Sequence, residues 1–440
     1  MNAMAKLVLL ATALGLAVAA CHVGGGYTVG GTVTGVRGSG LVIVDNSGDD
    51  LTVTGNGSFQ FSSGIDQGGA YSVTVKTQPS GQTCVVHNGA GTVGTADIDN
   101  VVVTCTLPGR FAYVVNMSSN SISAFSIDAS TGALAPVADS PFASAGTTPV
   151  AAVVDPNGTY LYVANNASNT LAVYAIDAST GALSETGEPI ATGNGPFAVL
   201  VDPHDQFVYV ANKTDSTVSV FSIASGGGLS EISGSPFAVG EEPTSLATDP
   251  SGNFLYVTSY VNGTVYAFSI EPGAGSIASI DGSPFGAGTG ALSIAIDPTG
   301  TYAYVANESA HSISLYSIDT GTGALAALSG SPLATQTQPE SLAVDPAGRF
   351  LFAADVTAGN DLSSYSITPS SGELTRASSA AAGLFPLSVA INPAGTFAYV
   401  ANENSNDVSA YSIDATTGAL TAVKGSPFGA GGDSRSIAID

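Results

Sequence analysis

Residues able to do chemistry are sparse in this sequence. It contains four histidines, three cysteines and nine Lys or Arg residues, against 34 Asp or Glu residues. It has no nucleophile elbow, phosphate-binding loop, zinc motif, dinucleotide fingerprint or EF-hand spacing. His311 follows a polar stretch that lacks the partners a metal site would need. The sequence therefore predicts no metal site and no cofactor.

The three cysteines divide into one N-terminal residue and one pair. Residues 1–21 combine a basic Lys6, a short apolar stretch and the ending Val18-Ala19-Ala20-Cys21, which resembles the bacterial lipobox. The alternative is an ordinary secretory peptide with an incidental cysteine. We expect lipid on Cys21 to anchor an exported protein in the cell envelope, at the outer membrane. Cys84 and Cys105 would then form a disulfide in an oxidising compartment.

The elements that must position any site come from an internal repeat. Tyr-Val-Ala-Asn, or a near relative, recurs at intervals of 47 to 49 residues, starting at Tyr113, Tyr162, Tyr209, Tyr256, Tyr304, Phe352 and Tyr399. Before it comes an apolar strand that ends in an Asp-Pro-x-Gly turn, and after it come a polar loop, a strand ending in Ser-Ile-Asp, and a hairpin. Four strands in about 47 residues is the size of one β-propeller blade.

The two ends of the repeat region complement each other. The segment Arg110–Asn116 is a second strand with no first strand before it, whereas Ser436–Asp440 is a first strand with nothing after it. We expect the C-terminal strand to complete the blade that begins at Arg110, which leaves no open sheet edge. The prediction is an all-β chain whose main body is a seven-bladed propeller.

The rest of the chain divides into short segments and one small module. We assign residues 1–21 to the signal peptide, 22–26 to a Gly-rich spacer, 27–106 to a small β-sandwich with a disulfide, 107–109 to a linker and 110–440 to the propeller. Alternating strands separated by Gly, Asn and Asp turns favour the sandwich over a helical module.

Charge limits the kinds of partner. The formal net charge is −25, with the acidic residues scattered along the chain. Such a chain repels phosphate backbones, so we expect no nucleic-acid partner. The dispersed charge is typical of a soluble monomer, and we expect contact with the membrane only through the lipid.

Polar loops after the second strands are the predicted binding surface. They would present amides around one rim of the channel, suited to a polar small molecule or an envelope protein. The candidate ligand residues are Asn116, Asn165, Asn212, Asn262, Asn307, His311 and Asn402. The alternative is structural, because Asn at a strand end hydrogen-bonds its own backbone and tolerates left-handed φ.

The repeat resembles the YVTN-repeat propellers of the lactonase family, which includes propeller-type 6-phosphogluconolactonase. The resemblance covers about 330 residues. It implies hydrolysis of sugar lactones, with a His directly after the Pro that opens an innermost strand, helped by Arg and Glu. We align that position with Val150, Phe197, Thr244, Leu292, Glu340, Leu387 and Ser436, none of which is His.

Two residues could still support lactone chemistry. Glu340 could act as a base if its pKa were raised, and Arg435, near the start of the closing strand, could polarise a carbonyl. We rank an envelope protein that binds a ligand or partner first, and a lactonase that uses Glu340 and Arg435 second. A purely structural envelope protein is third.

Overall fold

The computed structural model describes residues 26–36, 40–46, 48–79, 82–106, 110–335, 337–356 and 359–440. Throughout these ranges the regular structure is β, with 42 strands and no helix. Accordingly, the described part of the chain has no helix that is long and apolar enough to cross a membrane. The predicted signal peptide, its Cys21 and the linker 107–109 lie outside the described residues.

The N-terminal segment forms two four-stranded sheets around one apolar core. Their strand orders are β4-β1-β8-β6 and β3-β2-β5-β7. The strands are β1 (Val29–Thr34), β2 (Leu41–Asp45), β3 (Asp49–Val53), β4 (Gly57–Gln60), β5 (Ala70–Thr77), β6 (Thr83–His87), β7 (Ala90–Thr92) and β8 (Ile98–Thr106). The predicted disulfide between Cys84 and Cys105 is present and joins β6 to β8. That this segment is an independent sandwich domain stays a prediction.

The remaining strands form seven sheets, the blades of the propeller. Blade 1 contains β9 (Phe111–Asn116), β10 (Ser121–Ile127), β11 (Leu134–Pro136), β12 (Phe142–Ala143) and β42 (Ser434–Ile439). Blade 2 contains β13 (Pro149–Val154), β14 (Tyr160–Asn165), β15 (Thr170–Ile176), β16 (Leu183–Glu185) and β17 (Ile190–Ala191). Blade 3 contains β18 (Pro196–Val201), β19 (Phe207–Asn212), β20 (Thr217–Ile223), β21 (Leu229–Glu231) and β22 (Phe237–Ala238).

The other four blades repeat this order. Blade 4 contains β23 (Pro243–Thr248), β24 (Phe254–Ser259), β25 (Thr264–Ile270), β26 (Ile277–Ser279) and β27 (Phe285–Gly286). Blade 5 contains β28 (Ala291–Ile296), β29 (Tyr302–Asn307), β30 (Ser312–Ile318), β31 (Leu325–Ala327) and β32 (Leu333–Ala334). Blade 6 contains β33 (Gln338–Val344), β34 (Phe350–Val356), β35 (Asp361–Ile367) and β36 (Leu374–Ala381). Blade 7 contains β37 (Pro386–Ile391), β38 (Phe397–Asn402), β39 (Asp407–Ile413), β40 (Leu420–Ala422) and β41 (Phe428–Gly429).

The C-terminal strand closes the ring. Strand β42 pairs antiparallel with β9, so that blade 1 is built from both ends of the propeller segment. The Asp440 carboxylate accepts hydrogen bonds from the backbone N–H groups of Arg110 (2.6 Å) and Phe111 (2.8 Å). The innermost strands of the seven blades contact one another in a closed circle. The predicted seven-bladed propeller is confirmed.

Neighbouring blades are joined through the Tyr that opens each repeat tetrapeptide. Its ring is buried between blades, and in five blades its hydroxyl donates to a hairpin carbonyl of the next blade. For example, the Tyr304 hydroxyl reaches the Gly372 carbonyl oxygen at 3.0 Å. Tyr399 of blade 7 donates to Gly132 of blade 1 at 3.0 Å, which spans the closure. In blade 6, where Phe352 replaces the Tyr, the opposed Ser364 hydroxyl donates to Gly418 instead (2.8 Å).

Two tyrosines of this set make a matched test of the inter-blade bond. The Tyr162 hydroxyl is buried and has no hydrogen-bond partner among the described residues. We expect Tyr304→Phe to lower the free energy of unfolding by about 1–2 kcal/mol, because the Gly372 carbonyl loses its donor inside the protein. Tyr162→Phe should change it by less than about 0.5 kcal/mol. Denaturant unfolding of both variants checks this, and equal losses would contradict it.

Candidate functional site

A β-bulge occurs at the same place in all seven innermost strands. In blade 6, for example, Pro339 pairs with Asp355 and Ser341 with Ala354, which leaves Glu340 as the extra residue. A bulge redirects the side chain of the extra residue. The seven bulge residues line one cavity at the channel mouth: Val150, Phe197, Thr244, Leu292, Glu340, Leu387 and Arg435.

The seventh position in this ring corrects the sequence alignment. We predicted Ser436 there, but Ser434 pairs with Asn116 as Pro386 pairs with Asn402, so Arg435 is the bulge residue. The closing strand has Ser434 where most blades have Pro, and this removed the marker on which the alignment relied. Glu340 and Arg435 are therefore equivalent positions on one ring, and they are its two charged members.

The seven repeats define a second set of equivalent positions, which we call the second ring. It consists of the residue directly after the Asn, or its replacement, that ends the repeat tetrapeptide: Met117, Asn166, Lys213, Tyr260, Glu308, Val356 and Glu403. These neighbours were not predicted from the sequence, in which the recurring Asn positions are the more prominent polar residues. A signal was present, because the Asn position is nearly constant between repeats whereas the next position varies, as expected of a site rather than a scaffold.

Ion pairs and the Phe197 side chain connect the ring of bulge residues to the second ring. The Arg435 guanidinium lies 3.1 Å from the Glu403 carboxylate, and both side chains are largely buried. The Phe197 ring centroid is 5.1 Å from Arg435 and 4.9 Å from the Lys213 ammonium. Lys213 also pairs with Glu242 at 3.3 Å. Cation–π contacts and ion pairs of this kind restrict long side chains, so Arg435 is held in one orientation at the mouth.

The carboxyl group of Glu340 has a raised pKa. Burial, with the Glu308 and Glu403 carboxylates, raises the pKa of Glu340 to about 7, although the nearby Arg435 opposes the shift. A group with that pKa is half ionised at neutral pH and can both accept and donate a proton. Arg435 is permanently charged and has further N–H donors beyond the one that faces Glu403. One ring therefore holds a carboxyl group that can exchange a proton near neutral pH and a fixed positive charge.

Tyr260 and Glu308 form the adjoining part of the second ring. The Tyr260 hydroxyl donates to the Glu308 carboxylate at 3.0 Å, and Ser309 donates to the same oxygen at 2.6 Å. The Ser309 hydroxyl lowers the pKa of Tyr260, but burial and Glu308 raise it above its ordinary value overall. Tyr260 therefore stays protonated at neutral pH and acts as a hydrogen-bond donor.

Serine hydroxyls form the next layer of the cavity. They belong to Ser245, Ser293, Ser341, Ser388 and Ser436. Each Oγ accepts the backbone N–H of the neighbouring innermost strand, at distances from 3.1 Å for Ser293 to 3.4 Å for Ser436. An accepting hydroxyl keeps its own hydrogen for donation. The cavity of about 250 Å³ thus has charged groups at its mouth and uncharged donors below.

The predicted ligand amides lie inside the blades. Asn116, Asn165, Asn212, Asn307 and Asn402 are fully buried. Their amide groups donate to Ser, Thr or Asp side chains of the third strand of the same blade, as Asn307 does to Ser312 (3.1 Å) and Ser314 (2.9 Å). Asn262 is exposed, but its side-chain oxygen accepts from the Glu241 backbone and the Ser259 hydroxyl. This placement favours the structural alternative, and ligand binding by these amides stays a prediction.

None of the histidines in the described ranges lines the cavity. His311 is exposed in a turn with a positive φ of 49°, the conformation that Asn occupies in sister blades. His204 lies 3.6 Å from Asp202 in the Asp-Pro turn, at the opposite end of its strand. No group of three or more His, Cys, Asp or Glu residues in the described ranges is arranged to hold a metal ion.

Blade 6 breaks the Asn pattern with a buried acid. Asp355 takes the position of Asn402 and is fully buried, and within the described residues its two oxygens accept no hydrogen bond of ordinary geometry. Burial raises the pKa of Asp355 to about 6, against the opposing effect of Ser363 and Thr337, and Asp361 adds to the rise. Glu340 is on the neighbouring strand, but Asp355 does not line the cavity.

The comparisons with known proteins agree with this architecture. A family model described as "Lactonase, 7-bladed beta-propeller" matches residues 77–197, 191–290 and 281–431. No curated protein sequence matches the chain.

Solved structures show the same fold at low sequence identity. The chain is similar to a candidate 6-phosphogluconolactonase from Bacteroides uniformis, with TM-score 0.67 and 20% identity, over 75% of this chain and 99% of that one. It is also similar to a periplasmic gluconolactonase from Pseudomonas aeruginosa, with TM-score 0.64 and 19% identity, over 74% and 97% of the two chains. A Lactobacillus plantarum protein gives TM-score 0.66 at 21% identity, over 76% of this chain and 100% of that one.

Proposed function

This chain belongs to the lactonase family of seven-bladed β-propellers, and from that premise we propose that it hydrolyses a lactone at the channel mouth. The observation that carries the proposal is Glu340. Its pKa is about 7, and it lies on the same ring of bulge residues as Arg435. A general base with a pKa near the working pH and a fixed cation for the developing oxyanion are the two requirements of the reaction.

The two side chains divide the reaction between them. The Glu340 carboxylate takes a proton from water while the water oxygen attacks the lactone carbonyl carbon. The carbonyl oxygen gains the electron pair and is stabilised by Arg435. The ring C–O bond then breaks, and the ring oxygen receives the proton from Glu340. The product is a hydroxy acid, which ionises at neutral pH and releases one proton to solvent.

Lactone hydrolysis therefore takes the place of ligand or partner binding as the leading hypothesis. The absence of the family His at the seven aligned positions favours binding. The support for catalysis is a base and an electrophile on equivalent bulges of one cavity. Two of the similar solved structures carry gluconolactonase names, which agrees with the proposal.

A proton-release assay tests the proposal. Weakly buffered protein is mixed with δ-gluconolactone, and base uptake is followed at constant pH against the uncatalysed rate. We expect catalysed proton release from the wild-type protein and none from the double variant Glu340→Gln, Arg435→Ala. His311→Ala is the control, since His311 is exposed and outside the cavity. Activity retained by the double variant, or absent from the wild type on any lactone, would overturn the proposal.

We also propose that the protein is exported and anchored through lipid on Cys21. The lipobox resemblance supports this, as does the Cys84–Cys105 disulfide, which is typical of proteins outside the reducing cytosol. Cys21→Ala is expected to move the protein from the membrane fraction to the soluble fraction on cell fractionation. If the variant stays with the membranes, the lipid anchor is wrong.

A further inference from the structure

The cations at the channel mouth are already paired. Arg435 contacts Glu403 at 3.1 Å, and Lys213 contacts Glu242 at 3.3 Å. Glu308 and Glu340 add two further carboxyl groups close to the same point. The mouth therefore has two cations against four carboxyl groups. The local charge is negative.

A phosphorylated or carboxylated substrate fits this charge poorly. A phosphate ester is about −2 at neutral pH and is normally held by unpaired Arg or Lys side chains. Here a carboxylate already balances the charge of each cation, and Glu308, which lies near Glu340, would repel the ligand. The net charge of −25 adds a repulsive field over longer distances.

The layer below the mouth is suited to neutral polar groups. Five serine hydroxyls accept backbone N–H groups and keep their own hydrogens for a ligand in the channel. Uncharged donors of this kind match the hydroxyl and ring oxygens of a polyol.

We propose that the substrate is an uncharged, hydroxyl-bearing lactone and that the paired cations at the mouth exclude phosphorylated and carboxylated ones. This inference rests on the proposed lactone hydrolysis. Arg435 still serves one developing oxyanion through its remaining N–H donors, because that charge is single and forms inside the cavity. It does not provide the free positive charge that a dianion needs.

The test compares δ-gluconolactone with 6-phosphogluconolactone under the same conditions. We expect kcat/KM for the neutral lactone to be at least about tenfold higher at low ionic strength. The preference should shrink as salt is added, because salt screens the repulsion. A preference for the phosphorylated lactone overturns the inference and leaves lactone hydrolysis intact. If neither compound is hydrolysed, the proposed function itself is overturned.

A matched pair of variants locates the effect at the mouth. Glu242→Gln frees Lys213, and we expect the ratio of kcat/KM values to shift several-fold toward the phosphorylated lactone. Glu185→Gln removes the same charge from an exposed outer strand and should leave the ratio unchanged. An unchanged ratio in Glu242→Gln, or an equal shift in both variants, contradicts the inference.

Discussion

Glu340→Gln is expected to lower kcat/KM for lactone hydrolysis by about 10²–10⁴-fold, the usual contribution of a general base. Glutamine keeps the size of the side chain and fills the bulge position on β33, but it cannot accept the proton of the attacking water. The substitution also removes a group whose ionised form is disfavoured by burial, so folding should be preserved or improved. The catalytic loss would then report chemistry alone. Initial rates of proton release, together with a thermal unfolding curve, measure the two effects separately.

The pH profile provides a second readout of the same residue. Because the base must be ionised, kcat/KM of the wild-type protein should rise with pH and level off above a midpoint near 7. Glu340→Gln should lose that midpoint while retaining a small residual activity. The control is Glu185→Gln, on an exposed outer strand, whose profile should match the wild type. A midpoint near 7 that survives in Glu340→Gln would assign the base to another residue.

The fold was predictable because each repeat contains the turn and strand residues whose local interactions form a blade. Asp155 illustrates this, since its carboxylate accepts from the Thr159 and Tyr160 N–H groups and closes the Asp-Pro turn as the sequence indicates. Strand closure was predictable from the two unmatched ends of the repeat, Arg110 and Asp440. These features depend on neighbours in sequence or on simple counting.

The site was only partly predictable because radial packing brings together residues that are far apart in sequence. Glu340 and Arg435 were named, but their shared ring depends on a bulge that changes the register by one residue. Lys213 and Glu403 were not predicted, because the polar pattern of the repeat indicates the Asn that precedes each of them. Tyr260 follows Ser259 and has no such marker. The amide groups of those Asn side chains already donate hydrogen bonds within their own blades. A polar residue that recurs in every repeat is better explained by a role in the scaffold. A position that varies between repeats is better explained by a role in the site.

Asp355 shows the reverse case, in which a departure from the repeat weakens the scaffold. In blade 7 the Asn402 amide donates to Asp407 at 2.7 Å and to Ser409 at 2.9 Å. The paired register places Asp361 and Ser363 at the corresponding positions of blade 6. An ionised Asp355 has no hydrogen to donate there and lies near a second carboxylate. Its burial is tolerated best when it is protonated, which agrees with the raised pKa.

Asp355→Asn is expected to raise the free energy of unfolding by about 2–3 kcal/mol at pH 8. This value is the free-energy equivalent of a difference of about two pKa units between the folded and unfolded states. The pKa of Asp355 is raised from 3.8 to about 6 by folding. The folded state therefore holds the proton more tightly, and wild-type stability falls as pH rises through the window from about 4 to 6. The variant lacks this ionisation, so its advantage should be small at pH 4 and reach its full value above pH 6.

Asn402→Asp is the matched control, because it places the same acid beside Asp407 in blade 7. It should lower stability at pH 8 and recover much of the loss at pH 4, the mirror image of Asp355→Asn. Denaturant unfolding at pH 4, 6 and 8 measures both variants on one scale. If Asp355→Asn were neutral at pH 8 while Asn402→Asp destabilised, the Asp355 carboxylate would have to be stabilised where it is. Blade 6 would then hold that acid by contacts different from those of its sister blades, and the scaffold argument would fail for that blade alone.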